Sequence, residues 1–240
     1  MTTAYPTLCD QIAQALSANG TLILAIDGCC ASGKTTLAVQ LADRFGGDIV
    51  HMDDFFLPLF LRTPDRLSEP GSNVHYERVL TQIVTPLLAA GTAATAGSCA
   101  DTDKETAATD DFCADTDKGL AAGHGKSGRC SPALPILSWE RFDCSCGAYA
   151  PGLQYTTGSP FLIIEGAYCM RPELRSVYDE TLFLTVSPEI QKQRILARNG
   201  AERWQVFRDR WIPMENRYFA HYEIEQACRL VIDNSGYSCE

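Results

Sequence analysis

Apolar positions along the chain switch between two periods. Leu8, Ile12, Ala15 and Leu16 recur at helical spacing and predict an amphipathic helix over 7–18, ended by Asn19-Gly20. Residues 21–26 are a continuous apolar run stopping at Asp27, the pattern of a buried strand. A helical pattern over 35–45 follows and breaks at Gly46-Gly47. Residues 48–52 predict a short second strand ending at Asp53-Asp54. Pro58, Pro64 and Pro70-Gly71 then mark irregular chain. A helix is expected from His75 or Tyr76 to about Leu88, with Pro86 disturbing its end.

Order resumes near Pro135. Residues 136–142 predict a strand and 144–149 a turn into its partner. Residues 161–164, followed by Glu165-Gly166, have the unbroken apolar look of a buried parallel strand, and so do 181–186. Pro188 opens a helix through about Arg198, with Asn199-Gly200 as its cap. Helices are predicted over 202–211 and 213–227, and a last strand over 230–232 ends at Asp233-Asn234. Strands alternating with helices imply a doubly wound α/β fold, a mostly parallel sheet with helices on both faces.

The stretch between these halves is different. Residues 90–132 are rich in Ala, Gly, Thr, Asp and Ser, and the hexapeptide Cys-Ala-Asp-Thr-Asp-Lys occurs at both 99–104 and 113–118. Such a composition cannot bury enough apolar area to offset its ordering entropy, which predicts a disordered, low-complexity insertion over 90–134 within a single domain spanning 1–240. Asp101, Asp103 and Glu105 alternate like calcium ligands, but Thr106 and Phe112 stand where a Ca²⁺ loop needs Gly and Glu.

A net charge of −10 gives neither the basic face of a nucleic-acid binder nor a polybasic membrane signal. Residues 1–20 lack the basic flank and apolar core of a signal peptide, and no stretch approaches the ~18 apolar residues of a membrane helix. The 11 cysteines are therefore expected to be mostly reduced thiols of a cytoplasmic protein. Cys144 and Cys146 with Cys130 and His124 offer four zinc-type side chains, though Cys-x-Cys is not the usual paired spacing.

Chemistry enters at residues 28–36, Gly-Cys-Cys-Ala-Ser-Gly-Lys-Thr-Thr, which match the phosphate-binding loop G-x-x-x-x-G-K-[ST]. Predicted strand, loop and predicted helix come in the order the motif needs. Gly28 and Gly33 permit the tight turn, and the amides of Cys29, Cys30, Ala31, Ser32 and Thr36 join the helix N-terminus as an anion site. Lys34 is expected on the β- and γ-phosphates of ATP and the Thr35 hydroxyl on Mg²⁺. A thiol near a helix N-terminus can be acidified, which makes redox inhibition through Cys29 or Cys30 a hypothesis.

Further motifs follow in order: His-Met-Asp-Asp-Phe-Phe at 51–56, Ile-Ile-Glu-Gly-Ala-Tyr at 163–168, Arg194 and Arg198 after Pro188, and Trp-Ile-Pro-Met-Glu at 211–215 with Tyr218-Phe219. Together with the phosphate loop, this set resembles the uridine kinase-like branch of P-loop kinases, which also holds phosphoribulokinase and pantothenate kinase. The resemblance covers nearly the whole chain outside 90–134. It implies that Asp53 is the catalytic carboxylate and a neighbour of Mg²⁺, and that Glu165 acts on Mg²⁺ like a Walker B residue. It implies lid arginines at Arg194 and Arg198, with Arg203 and Arg210 as further candidates, and places the loop at Asn234 beside the adenine. Asp54 is expected to point away, as a loop residue. Trp211, Tyr218 and Phe219 read as core.

For the acceptor, the resemblance points to residues 71–78. Relatives tend to carry Asp where this chain has His75, so the task of holding a hydroxyl falls to His75, Asn73, Tyr76 or Arg78. The expected activity is transfer of the ATP γ-phosphoryl to a small-molecule hydroxyl, a pyrimidine nucleoside by resemblance. Pantothenate-like or sugar-phosphate acceptors, or a nucleotide switch acting on a protein partner, stay open. Nucleic acid and membrane are not expected partners, and a homo-oligomer stays open.

Overall fold

The computed structural model describes residues 4–97 and 133–236. The elements are α1 (Ala4–Asn19), β1 (Leu22–Gly28), α2 (Lys34–Phe45), β2 (Asp48–His51), α3 (Pro64–Ser68), α4 (Tyr76–Val79), α5 (Thr85–Gly97), β3 (Ser138–Asp143), β4 (Ala148–Tyr155), β5 (Phe161–Glu165), β6 (Glu180–Thr185), α6 (Pro188–Val206), α7 (Ile212–His221), α8 (Ile224–Ala227) and β7 (Leu230–Asp233). Five strands form one sheet in the order β2-β5-β1-β6-β7, every pairing parallel. A separate antiparallel hairpin joins β3 to β4. Among the described residues no helix is long and apolar enough to cross a membrane.

Strand alternation assigns the two faces. Leu22, Leu24 and Ile26 of β1, with Phe161, Ile163 and Leu182, face α1 and α2 through Leu8, Ile12, Ala38 and Leu41. Ile23 and Ala25, with Leu162, Ile164 and Phe183, face Val79, Ile83, Leu174, Tyr218 and Ile224. Both faces are covered, which is why the central strands read as unbroken apolar runs rather than as alternating ones. The chain leaves β1 for β2 on one side of the sheet and later reaches β6 on the other. The carboxyl end of β1 therefore lies where the winding reverses, the position at which open α/β sheets bind ligands.

Three boundaries differ from the sequence expectation. The helix expected to fade near Leu88 continues to Gly97, into the Ala-rich start of the compositionally distinct segment, where helix propensity is high. Pro86 does not end it. A wide π turn over Leu80–Val84 precedes the proline, and the Thr85 hydroxyl donates to the Leu80 carbonyl at 2.8 Å. A second π turn, Phe207–Trp211, likewise precedes Pro213. Gly200 breaks the long α6 with φ 80° and ψ 171°, where the cap was expected. The predicted helix 213–227 is interrupted by Glu223 in a left-handed conformation, φ 49°, which turns Ile224 into the core. At the other end of the inserted segment, Leu134 packs on the sheet core. The disorder and calcium readings for 98–132 lie outside the described residues.

Phe161 is the tightest test of this packing: it is fully buried and meets Phe45 edge to face at 6.0 Å. Phe161→Ala is expected to lower stability by about 3–5 kcal/mol through the cavity it leaves. Urea unfolding should show a lower midpoint with an unchanged slope.

Candidate active site

At the end of β1 sits Asp27, with no exposure to water. Its carboxylate accepts from the amides of Gly28 (2.7 Å) and Met170 (2.9 Å) and from the Tyr218 hydroxyl (2.8 Å). Burial pushes its pKa up, and those three donors and Lys34 oppose the push. Beyond it the chain turns through the phosphate loop. Gly28, at φ 139°, lies so close to β6 that a Cβ there would stand 2.0 Å from the Leu184 carbonyl oxygen. Gly33 caps α2 in a left-handed conformation, and a Cβ there would meet the Asn234 amide nitrogen at 2.8 Å. Only glycine fits at either place.

Lys34 is buried, and its ammonium donates to the carbonyls of Gly28 (2.8 Å) and Cys29 (2.9 Å). Burial works against its charge, but Glu215, Asp27 and Glu165 outweigh burial and raise its pKa. Glu215 is buried too and accepts from the Cys30 amide at 2.9 Å. Burial raises its pKa, against Lys34 and that amide. In the sequence Glu215 stands only as the last residue of the Trp-Ile-Pro-Met-Glu motif, with no role of its own. Its sole signal was an acid two residues after a proline at a helix start.

The Thr35 hydroxyl donates to Glu165 Oε1 at 3.0 Å, and His51 Nδ1 meets the same oxygen at 2.6 Å. That hydrogen bond raises the His51 pKa although burial opposes it. Asp53 follows β2 and lines the same cleft. Desolvation by the cleft walls, then Glu165, raise its pKa. Thr35, Asp53 and Glu165 thus present hard oxygen donors on one side of the phosphate loop, a set that fits Mg²⁺. The buried Ser32 hydroxyl has no partner among the described residues, and it lies in the loop whose amides would face a phosphate.

Arg194 lines the cleft, as Arg198 does. Its guanidinium donates to the carbonyls of Ala31 (3.2 Å), Ser32 (3.4 Å) and Asn234 (2.7 Å), tying α6 and the loop after β7 to the phosphate loop. The Asn234 amide adds a 2.6 Å bond to the Ser32 carbonyl. Arg198, Arg203, Phe207 and Trp211 line the cleft above, so Trp211 is a wall residue rather than the core residue expected. It faces inward because the π turn rotates it off the packed face of the helix. Arg210 lies over the Trp211 ring at 4.7 Å. Tyr218 and Phe219 are core, as expected.

Of the residues expected to meet the acceptor, only Asn73 lines the cleft. His75 bonds the Tyr149 hydroxyl at 2.8 Å, and burial lowers its pKa. Arg78 lies 4.0 Å above the Tyr149 ring and donates to the Glu140 carbonyl at 2.9 Å. Tyr76 is sandwiched by Arg66 (4.4 Å) and Arg171 (3.9 Å). Arg171, missed by sequence reading, is buried, pairs with Glu69 and Glu173, and donates to the Pro70 carbonyl at 3.0 Å. His75, Tyr76 and Arg78 therefore hold the β3–β4 hairpin and the segment before α4, instead of facing the cleft. Asp54 does the same job: its carboxylate accepts from Trp139 Nε1 at 2.8 Å. The hairpin tip, residues 144–147, lines the same cavity of about 1190 Å³ as the phosphate loop.

Acidified thiols are not found in the loop. Burial, then Glu215, raise the pKa of both Cys29 and Cys30, which removes the basis for redox inhibition. The proposed zinc partners Cys130 and His124 lie outside the described residues, among which no group of three or more His, Cys, Asp or Glu side chains that could hold a metal ion occurs.

No family model matches the chain, and no curated protein does. Solved structures do. A possible uridine kinase from Bacillus stearothermophilus is 21% identical, aligns over 95% of this chain and 96% of its own, and gives a TM-score of 0.56. D-glycerate 3-kinase from Cryptococcus neoformans var. grubii is 10% identical over 100% of this chain and 99% of that one, with a TM-score of 0.54. The YGR205w protein is 12% identical over 97% and 94%, with a TM-score of 0.51. At these identities the likeness defines the fold. It is a doubly wound, parallel α/β sheet, the fold shared with these structures.

Two tests follow from this geometry. Tyr218→Phe removes a donor from a buried carboxylate and is expected to cost about 1–3 kcal/mol in chemical unfolding. The folded pKa of Asp27 already exceeds its unfolded value, so its contribution is lost as pH rises through the folded pKa. Removing the hydroxyl raises that pKa further, so the deficit should widen with rising pH. Peptide-resolved alkylation near neutral pH should modify the exposed Cys144 and Cys146 well before Cys29 and Cys30. Rapid modification of Cys29 or Cys30 would contradict the raised pKa values.

Proposed function

We propose that the chain is an ATP-dependent kinase of a small-molecule hydroxyl. The observation that carries the reading is one cleft lined by the phosphate loop, Lys34, Thr35, Glu165 and Asp53 at the carboxyl edge of the sheet. The loop amides and Lys34 hold the triphosphate. Thr35 and Glu165, with Asp53 beside them, would hold Mg²⁺, which when bound would neutralise charge on the phosphates. Asn234, fixed by Ser32 and Arg194, lies at the nucleotide's base end. Asp53 accepts the proton of the incoming alcohol as its oxygen bonds to the γ-phosphorus. The bond to the β-phosphate oxygen breaks, and ADP leaves with that electron pair. Arg198 and Arg203 lie above, where an overlying lid would exclude water.

Support for the coarse reading comes from structural neighbours that are themselves described as kinases. The finer expectation of a pyrimidine nucleoside draws on the possible uridine kinase among them. Against it stands the segment 71–78, of which only Asn73 lines the cleft.

Label transfer from γ-labelled ATP across nucleosides, pantothenate, hydroxy acids and sugar phosphates tests the activity. Asp53→Asn should leave Mg·ATP binding within about threefold in calorimetry while cutting transfer by about 10²–10⁴. Full transfer by that variant would remove Asp53 from the chemistry.

A further inference from the structure

The acceptor end of the cleft carries positive charge on a strongly acidic chain. Arg62 comes from the irregular segment before α3, and its guanidinium is held in place. Its Nε donates to the Leu57 carbonyl at 2.6 Å, and its plane lies 5.8 Å from the Phe142 ring. Arg203 reaches the same cavity from α6. No ion pair with a carboxylate is found for either among the described residues, although the chain has 30 acidic residues against 20 basic ones. The two arginines approach the hairpin tip at Cys144, which also feels the field of Asp53. Arg210 adds a third like charge near Arg62. Like charges gathered without counter-ions cost free energy, which a bound anion would offset.

A second, independent observation lies on the facing wall. Asn73 is 2% exposed, lines the cavity, and its Oδ1 has no hydrogen-bond partner among the described residues. A buried carbonyl oxygen left without a donor calls for one from outside, and a ligand hydroxyl supplies it.

Resting on the kinase reading above, we infer that the acceptor is an anionic hydroxyl compound. Its carboxylate or phosphate is held by Arg62 and Arg203, and one of its hydroxyls donates to Asn73. A neutral nucleoside would leave both guanidinium groups without a counter-charge at the cleft. The acceptor's anion lies away from the transferring phosphoryl, on the hairpin side, so its hydroxyl is directed towards Asp53. Carboxylate and phosphate share this chemistry, and the test separates them.

The full chain saturated with Mg·AMPPNP is titrated by calorimetry with matched pairs: glycerate against glycerol, pantothenate against pantothenol, and ribose 5-phosphate against ribose, with uridine as a further neutral. At least one anion should bind ten times or more tighter than its neutral counterpart, and which pair does so names the headgroup. Arg203→Ala, on the exposed surface of α6, should weaken that anion about tenfold to a hundredfold, as expected for one charge-assisted contact. Nucleotide affinity should fall by less than anion affinity does. Arg62→Lys should retain part of the affinity that Arg62→Ala loses. Uridine binding that ignores both arginines, failure of every anion to bind, or loss of nucleotide rather than anion affinity in Arg203→Ala would overturn the inference. A chain that does not bind Mg·AMPPNP at all would overturn the kinase reading as well. Nucleotide binding without any anion response overturns this inference alone.

Discussion

A carboxylate shut away from water is the fixed point of the molecule. Asp27 ends the central strand, and its three donors come from three different parts of the chain: the first residue of the phosphate loop, the segment after β5, and α7. A buried carboxylate costs several kcal/mol unless its lone pairs are occupied. That cost makes the arrangement close to all-or-none. Displace α7 and the carboxylate loses Tyr218; shift the loop and it loses Gly28. The phosphate loop therefore inherits its position from the core, not from its own flexible backbone.

Lys34 and Glu215 extend the same logic into the cleft. The ammonium sits among Glu215, Asp27 and Glu165, which keep it charged despite burial. Glu215 also occupies the Cys30 amide. The anion site is thus partly answered by the protein's own carboxylate, delivered on α7, the helix that carries Tyr218. One helix both anchors the strand end and sets the electrostatics of the loop beside it. Under the proposed kinase reading, an entering triphosphate would bring more negative charge to a place already holding three acids, so a cation held near Thr35, Asp53 and Glu165 would enter the binding energetics as well as the chemistry.

How much of this was legible in the sequence follows from how local each signal is. The strands at 21–26, 161–164 and 181–186 announced themselves because both faces of the sheet are buried, and an apolar run needs no partner to be read. The phosphate loop was legible because its function depends on backbone geometry that a few glycines and one lysine encode. His75 and Arg78 were misplaced because their direction depends on the hairpin, more than sixty positions away in sequence, and Tyr76 because it packs against Arg66 and the distant Arg171. Trp211 was misread because a π turn, provoked by a proline after it, changes the face on which it sits. Arg171 gave no sign, since a lone arginine after a strand is ordinarily solvent-exposed.

The same contrast separates the two halves of the site. The half at the phosphate loop rests on β1, α2 and β5, whose positions are set by apolar packing on both sides. The half at the hairpin is built from irregular chain and a hairpin outside the main sheet, and polar contacts hold it. Trp139 reaches Asp54, Tyr149 reaches His75, and Arg171 clasps Glu69, Pro70 and Tyr76. Such contacts are directional and individually weak, so they can be exchanged without disturbing the sheet. Under the proposed kinase reading, a chain built this way would keep its phosphate chemistry while its acceptor varied. This is why the phosphate loop can be read from spacing alone, whereas the identity of the acceptor has to be read from which charges and which unsatisfied amide the folded cleft brings together.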